Sequence, residues 1–570
     1  MILQALKDYY DRKAADPESG IAPPGWSAKA LPFLIVLNVD GSVVNIEDTQ
    51  EMDGRMKRAK VFLVPQEVKR SSGIAANFLW DNVEYVTGTV CKGKTTRVAQ
   101  QFAAFRERLA SHQTLPAIDA VLRFLARPDI DNALSRFPAW EETKKTCAFL
   151  SFKLGATGTI IFADPAVKAL VNRMAAPTGK AQTICLVSGQ QDAVAKLHPA
   201  IKGVQGTNTT GGNIVSFNFP AVWSFGKEQG ANAPVGEAAA FAYTTALNTL
   251  LGRDSAQKLR VGDATTVFWA DRPCTFEDEM AAFFAEPPKD DPDVLTNHVA
   301  ALLQSVDSGA FAHDDEATRF FVLGLSPNSA RIVIRFWHAG TVAELAGRFA
   351  GYFRDLELTH GPRDKDHLSL WRLLVATAVQ GKSENITPNL AGNFMRAILE
   401  GLPFPETLLA AAVLRCKAEG EVGYPRAKLI KGCLNRKLRL NNPNQERSLT
   451  VSLDKDNPNI GYRLGRLFAT LEKIQQEANP GINATIRDRF YSAASCTPLS
   501  VFGNLMRLKN HHLAKLENAG RRVNFERLIG EIVSGFPAFP AHLSLDDQGR
   551  FAIGYYHQQQ DFFSKKVESN

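Results

Sequence analysis

Ile460-Gly461-Tyr462-Arg463-Leu464-Gly465-Arg466-Leu467-Phe468-Ala469-Thr470-Leu471-Glu472-Lys473-Ile474 decides the fold of the C-terminal part of this chain. Ile460, Leu464, Leu467, Phe468, Leu471 and Ile474 recur at helical spacing, while Arg463, Arg466 and Lys473 fall off the apolar line. The spacing predicts a helix that buries one side and carries positive charge on another. Asn479-Pro480-Gly481 ends it, and a second pattern follows through Ile486 and Phe490 with Arg487 and Arg489 interleaved. A third pattern sets Leu505, Leu508, Leu513 and Leu516 beside Arg507, Lys509 and Lys515, and a fourth runs from Val523 to Val533 behind Arg521 and Arg522. Short amphipathic helices joined by tight turns predict a bundle. Cations repeated over successive helices suit a polyphosphate backbone, although a solvated bundle surface has the same composition.

Working outward, the charge is segregated. The 570 residues carry a formal +7, with +8 in residues 391–570, −1 in residues 1–390, and −9 in residues 271–320 alone. An anionic partner for the C-terminal region follows, and the acidic stretch is either a contact face or a solvated loop. The seven cysteines are scattered without a C-x-x-C pair, the amino terminus is charged too early for a signal peptide, and no apolar run approaches a bilayer span. These features predict a cytoplasmic protein with reduced thiols and no membrane partner.

The N-terminal part reads as mixed α/β. Phe33–Val39 followed by Asp40-Gly41 and Val43–Ile46 predicts a hairpin, and residues 147–154, 159–163, 183–189, 214–219 and 258–271 read as strands. Phe320–His338 predicts strand, turn, strand around Ser326-Pro327-Asn328, with a helix over 341–359. The expected fold class is therefore α+β, a large mixed α/β N-terminal body followed by an all-helical C-terminal bundle. The body covers residues 1–360, with candidate recognition loops in about 1–145 and central strands in about 146–360. A helical connecting region follows over 361–444, and the bundle covers 445–570. Lys428, Lys431, Arg436, Lys437 and Arg439 form a basic cluster at the end of the connecting region.

Three stretches carry candidate chemistry. Lys69, Arg70 and Ser71, with Asn77 and Asn82, combine cations that fix a phosphate backbone with amides that read base edges. Gly88-Thr89-Val90-Cys91-Lys92-Gly93-Lys94-Thr95 satisfies G-x-x-x-x-G-K-[ST] after the strand-like Val83–Val86 and before a helix. In a nucleotide-dependent enzyme such a loop cradles phosphates and Lys94 reaches the terminal ones. Here the β-branched Thr89 and Val90 crowd the wrap, which favours another basic hairpin or loop carrying Lys92, Lys94 and Arg97. The polar, glycine-rich run 203–213, continued by 224–237, offers Asn208, Asn213 and Lys227 as a clamp for a strand or a protein loop, or serves as a structural connection. No metal set, no nucleophile motif and no cofactor fingerprint is present, so we expect no catalytic residues, no metal and no cofactor.

Several short motifs occur together and in order: Phe217-Asn218; Gly226-Lys227-Glu228-Gln229-Gly230 with Asn232-Ala233-Pro234; Leu325–Arg331 with Arg335-Phe336-Trp337; Tyr462-Arg463-Leu464-Gly465-Arg466-Leu467; and Ala552–Gln560. With the opening Leu3-Gln4-Ala5-Leu6 and Tyr9-Tyr10, they make the chain resemble, nearly end to end, the Csd1 family, the large subunit of the type I-C CRISPR surveillance complex (Cascade). The resemblance implies a non-catalytic role beside the crRNA, the repeat-processing subunit, the backbone subunits and small subunits, with transient recruitment of a helicase-nuclease. It implies recognition of the protospacer-adjacent motif in target double-stranded DNA and stabilisation of the displaced strand. Lys69, Arg70, Ser71, Asn77, Asn82, Lys92 and Lys94 are then candidates for the duplex, and Arg463, Arg466, Arg487, Arg489, Arg507, Lys509, Arg521 and Arg522 for the displaced strand. The alternatives are a nucleotide-dependent enzyme acting on nucleic acid and a purely structural subunit. The resemblance further implies a separate small subunit made from the C-terminal part, with a start expected near residues 445–460.

Overall fold

A computed structural model describes residues 2–54, 56–68, 70, 73–175, 182–208, 210–261, 264–274, 276–277, 280, 308, 318–329, 331–387, 389–441 and 449–563. Contacts divide the chain into two compact units, residues 1–201 with 215–249, and residues 202–214 with 250–570.

In the first unit, strand Phe33–Leu37 is buried along its whole length because it lies inside a sheet. It pairs antiparallel with Val43–Asp48 as the sequence predicts, and parallel with Phe149–Leu154, which in turn pairs antiparallel with Trp80–Asn82. Ile118, Val121 and Phe124 of helix Pro116–Leu125, with Trp140 and Val167, complete a core around Phe33, Ile35, Trp80 and Phe152. Pro116 and Pro165 each open a helix at its first turn, where a missing N–H costs nothing.

Four strands expected from hydrophobic runs take other forms. The 159–163 run is one of them, keeping a strand only over Thr159–Ile160 before a 3-10 turn over Ile161–Ala163. Val83–Thr87 is a helix, because Asn82 accepts a hydrogen bond from the Tyr85 N–H (3.2 Å) and caps it. The 183–189 run keeps a strand only over Gln182–Ile184, and then turns around the Cys185 sulfur, which accepts the Val187 and Ser188 N–H groups (both 3.4 Å). Residues 214–219 form no strand, and the preceding Asn213 makes an isolated bridge to Arg331.

The second unit opens with a four-stranded antiparallel meander, Lys258–Val261, Ala264–Ala270, Arg319–Asn328 and Arg331–Thr341. The 258–271 run is thus two strands and not one. A bulge at Gly324/Leu325 fits the Phe336 ring, since a Cβ on Gly324 would lie 2.3 Å from it. Most of the acidic 271–320 stretch falls outside the described residues. After Thr341, which caps helix Val342–Leu356 in a reciprocal box with Glu344, every regular element described is helical. The molecule is α+β, a mixed N-terminal body followed by an all-helical C-terminal part.

Helix Ile460–Ala478 is the axis of that helical part. It packs lengthwise on Leu545–Phe563, and glycines set the spacing: a Cβ on Gly465 would lie 2.0 Å from the Phe551 carbonyl oxygen, and one on Gly554 would lie 2.0 Å from that of Tyr462. The two backbones touch, so the glycines in both recognised motifs are packing residues. Leu464, Leu467, Phe468, Leu471 and Ile474 are buried as their spacing predicts.

Candidate nucleic-acid interface

In the first unit the candidate duplex residues are held in an inward-facing network. Asp81, fully buried, accepts both Arg70 guanidinium Nη atoms and the Asn77 backbone N–H (2.9 Å). Burial raises its carboxyl and Arg70 opposes that shift. The Arg70 guanidinium also stacks over Tyr85 at 4.2 Å and donates through Nε to the Ala75 carbonyl (2.6 Å). Asn77 is buried and its Oδ1 accepts the Val68 N–H (2.9 Å), while the Asn82 side chain is spent on its helix cap. Lys69 and Ser71 lie outside the described residues.

The GKT-like loop encloses an anion of its own. The N–H groups of Cys91, Lys92 and Gly93 all donate to Glu84 Oε1, at 3.2, 2.7 and 2.6 Å. Burial works to raise the Glu84 carboxyl, but these amides and the Lys92 charge outweigh it and hold the group below its ordinary value. Successive N–H groups of such a turn make an anion nest, and here the nest is filled from within the chain. Lys92 and Lys94 remain exposed on its outer side, with Lys94 at the N-cap of helix Thr95–Ala110 and making no side-chain cap.

Glu84 also meets Cys91 and Cys147, with the ligand atoms of all three within 4.8 Å of one another, the one converging set of this kind among the described residues. Burial raises both thiols, Cys91 to about 12. Two thiols held protonated thus lie beside a carboxylate whose Oε1 is already taken by three amides.

The clamp candidates are divided between the units. Asn208 and Asn213 belong to the second, where the Asn213 carbonyl accepts the Ile332 N–H (3.0 Å), and Lys227 is exposed in the first.

The C-terminal cations separate into two groups. Arg466 is fully buried and donates to Gln558 Oε1 (3.1 Å), the Lys455 carbonyl (2.9 Å) and Glu531 Oε1 (2.9 Å). The reading that it lies on a solvated charged face is therefore corrected: position 466 faces the Gln558 side of the partner helix, and only a polar network makes that burial tolerable. Arg463 donates to the carbonyls of Asn457 (2.7 Å) and Ile532 (3.4 Å), the latter in the last turn of helix Ala519–Val533. Arg487 sits 3.7 Å from buried Glu472, which also accepts Thr485 Oγ1 (2.7 Å) and the Tyr555 hydroxyl (2.5 Å). Arg521 pairs with Glu477 (2.6 Å) while remaining exposed, and Arg522 donates to the Leu516 carbonyl (3.0 Å). Arg489 and Arg507 are exposed and Lys509 is half-exposed, and none of the three makes an ion pair among the described residues.

The basic cluster of the connecting region also turns inward. Lys428, Lys431 and Arg436 are buried in helix Tyr424–Asn441, with Arg436 and Arg439 both on Asp355 (3.2 and 2.6 Å). Lys428 Nζ donates to the Asp366 carbonyl (2.5 Å) beside a cavity of about 530 Å³, and Lys431 donates to that of Asp355 (3.3 Å). Burial lowers both ammonium groups to about 8. Sequence spacing did not reveal this inversion, because the compensating carbonyls come from residues some sixty to eighty positions away.

Among the described residues no helix is long and apolar enough to cross a membrane. No curated protein is similar enough to the chain to count as a match. The profile of the CRISPR-associated protein family Cas_Csd1 matches residues 6–563, nearly the whole chain. With that span added to the ordered motifs, the chain belongs to the Csd1 family of CRISPR-associated proteins, the large subunits of the type I-C Cascade complex.

Proposed function

We propose that this large subunit recognises the protospacer-adjacent motif in duplex DNA, supports unwinding, steadies the displaced strand and helps recruit the helicase-nuclease, and that it does no chemistry itself. The observation that carries the reading is the division of its cations. Those facing inward build the scaffold, whereas Lys92 and Lys94 in one unit, and Arg489 and Arg507 in the other, stay exposed on helices and loops, with Lys509 half-exposed beside Arg507. Cations fixed this way meet phosphates without reading sequence, and guide pairing supplies the long specificity. Arg463 and Arg466 then act by holding the helices that present the others. The loop that resembles a nucleotide site keeps its amides on Glu84, which supports a structural role for it over nucleotide hydrolysis.

The test is binding of a motif library by the complete guide-loaded complex. Replacing Lys92 and Lys94 is expected to weaken duplex binding at every motif and to lower the salt slope by about one unit per lost phosphate contact. Unchanged affinity and slope, with the complex assembled, would refute the assignment of those lysines. ATP hydrolysis that disappears with Lys94→Ala would refute the non-enzymatic reading.

A further inference from the structure

The turn at residues 224–232 presents a contradiction that folding alone does not resolve. Phe225 is 98% exposed and sits in the left-handed region at φ +53°, and Gln229 follows at φ +46°. Left-handed backbone at a non-glycine residue costs free energy and persists only where the surroundings enforce it. They do so here. The Lys227 N–H donates to the Ser224 carbonyl (3.0 Å), and the Ser224 N–H donates to Asn232 Oδ1 (2.8 Å). Asn232 Nδ2 donates to the carbonyls of Lys227 and Gln229, both at 2.9 Å. At its base the Gly230 N–H donates to the Lys196 carbonyl (3.1 Å), and a Cβ on Gly230 would lie 2.1 Å from the Ala195 oxygen. The chain therefore fixes a strained turn whose effect is to hold one aromatic ring in water.

We propose that Phe225 stacks on an unpaired base of a nucleic-acid strand, with Lys227 on the adjoining phosphate; this rests on the nucleic-acid reading above and names a contact within it. A ring with both faces free offers the sequence-tolerant platform that single strands use, and an ammonium two residues on suits the next phosphate. Lys196 and Lys227 are exposed around the turn and make no ion pair among the described residues, and Glu228 is the one acid within it. The competing occupant is an apolar pocket of a partner protein, since Leu186 and Leu197 are also exposed in this unit.

The experiment uses the guide-loaded complex and a single-stranded target, which needs no duplex motif. Phe225→Ala and Phe225→Leu are each expected to weaken strand binding about tenfold, and Phe225→Trp to keep it, because the π face and not bulk carries a stacking contact. Separate complexes carrying 4-thiouridine in the guide or 4-thiothymidine in the target distinguish RNA from DNA by which one crosslinks to the 224–232 peptide. Wild-type binding by Phe225→Leu, or loss of a protein subunit from the Phe225→Ala complex, would assign the ring to a protein pocket and overturn the proposal. Absence of a crosslink from either strand would also overturn it. An intact crosslink together with duplex binding that ignores the motif would refute motif recognition alone.

Discussion

Gly465→Ala adds one methyl group where two helix backbones touch. Its Cβ would lie 2.0 Å from the Phe551 carbonyl oxygen and 2.7 Å from the Tyr555 nitrogen, against an ordinary contact distance beginning at 3.4 Å. Helix Leu545–Phe563 must therefore retreat by roughly the difference, and a gap of about 0.5–1 Å already forfeits a quarter to a half of each contact's dispersion energy. Both obstacles are backbone atoms, so no side chain can swing aside. Overpacking costs about 1–3 kcal/mol, and here it falls at the upper end because the retreat also loosens the Arg466, Glu472 and Tyr555 network. Helix propensity returns up to about 1 kcal/mol. A net loss of about 2 kcal/mol corresponds to a roughly 30-fold fall in amide protection over 460–478 and 545–563, read by hydrogen exchange with mass spectrometry. Gly503→Ala and Gly530→Ala are the controls. Both glycines are helical with nothing within 4 Å of the added carbon, and both variants are expected to gain several tenths of a kcal/mol. Protection in Gly465→Ala equal to or above wild type would refute the backbone-contact argument.

Arg466→Met leaves Glu531, Gln558 and the Lys455 carbonyl without their donor and is expected to lower stability by about 3 kcal/mol in chemical denaturation, whereas Arg507→Ala stays within about 0.5 kcal/mol. Their effects on nucleic acid reverse: Arg507→Ala and Arg489→Ala lower the salt slope of strand binding, which a titration from low to moderate salt measures. Burial, with Lys431 adding to it, holds His557 down to about 3, and burial with Arg348 holds His338 to about 4. An unfolded histidine binds its proton near pH 6.5, so stability is present above that value and is lost as pH falls from about 6.5 toward about 4 for His338 and about 3 for His557. His557→Asn should flatten that limb of a stability profile. For Lys428 and Lys431, lowered to about 8, the unfolded chain holds more protons between about pH 8 and the ordinary lysine value near 10.4, so stability rises with pH there until unfolded tyrosines begin to ionise near pH 10. Replacing both lysines with methionine should remove the rise.

The sequence by itself determined which segments are helices and strands wherever one face is apolar over several turns. Leu464, Leu467, Phe468, Leu471 and Ile474 are buried as their 3.6-residue period requires, and the Phe33–Leu37 hairpin pairs as its pattern requires. The Phe320–His338 hairpin also forms, but Ser326, Pro327 and Asn328, expected as its turn, are strand residues paired with Val333, Ile332 and Arg331, and the chain turns only after Asn328. It also carried the family, through short motifs whose glycines prove to be points of backbone contact. Tertiary structure decided where each cation points. Arg466 and Arg507 are both off-pattern arginines on neighbouring helices, yet one is buried on Gln558 and Glu531 and the other is in water. The difference is set by partners up to about ninety residues away, and no local period encodes it. The same holds for Glu84, whose carboxylate occupies a loop that its own motif presents as a phosphate cradle. Periodicity reports which side of a segment avoids water. What the polar side meets depends on how distant segments pack, because the free energy of burying a charge is decided by the donors and acceptors the fold brings to it.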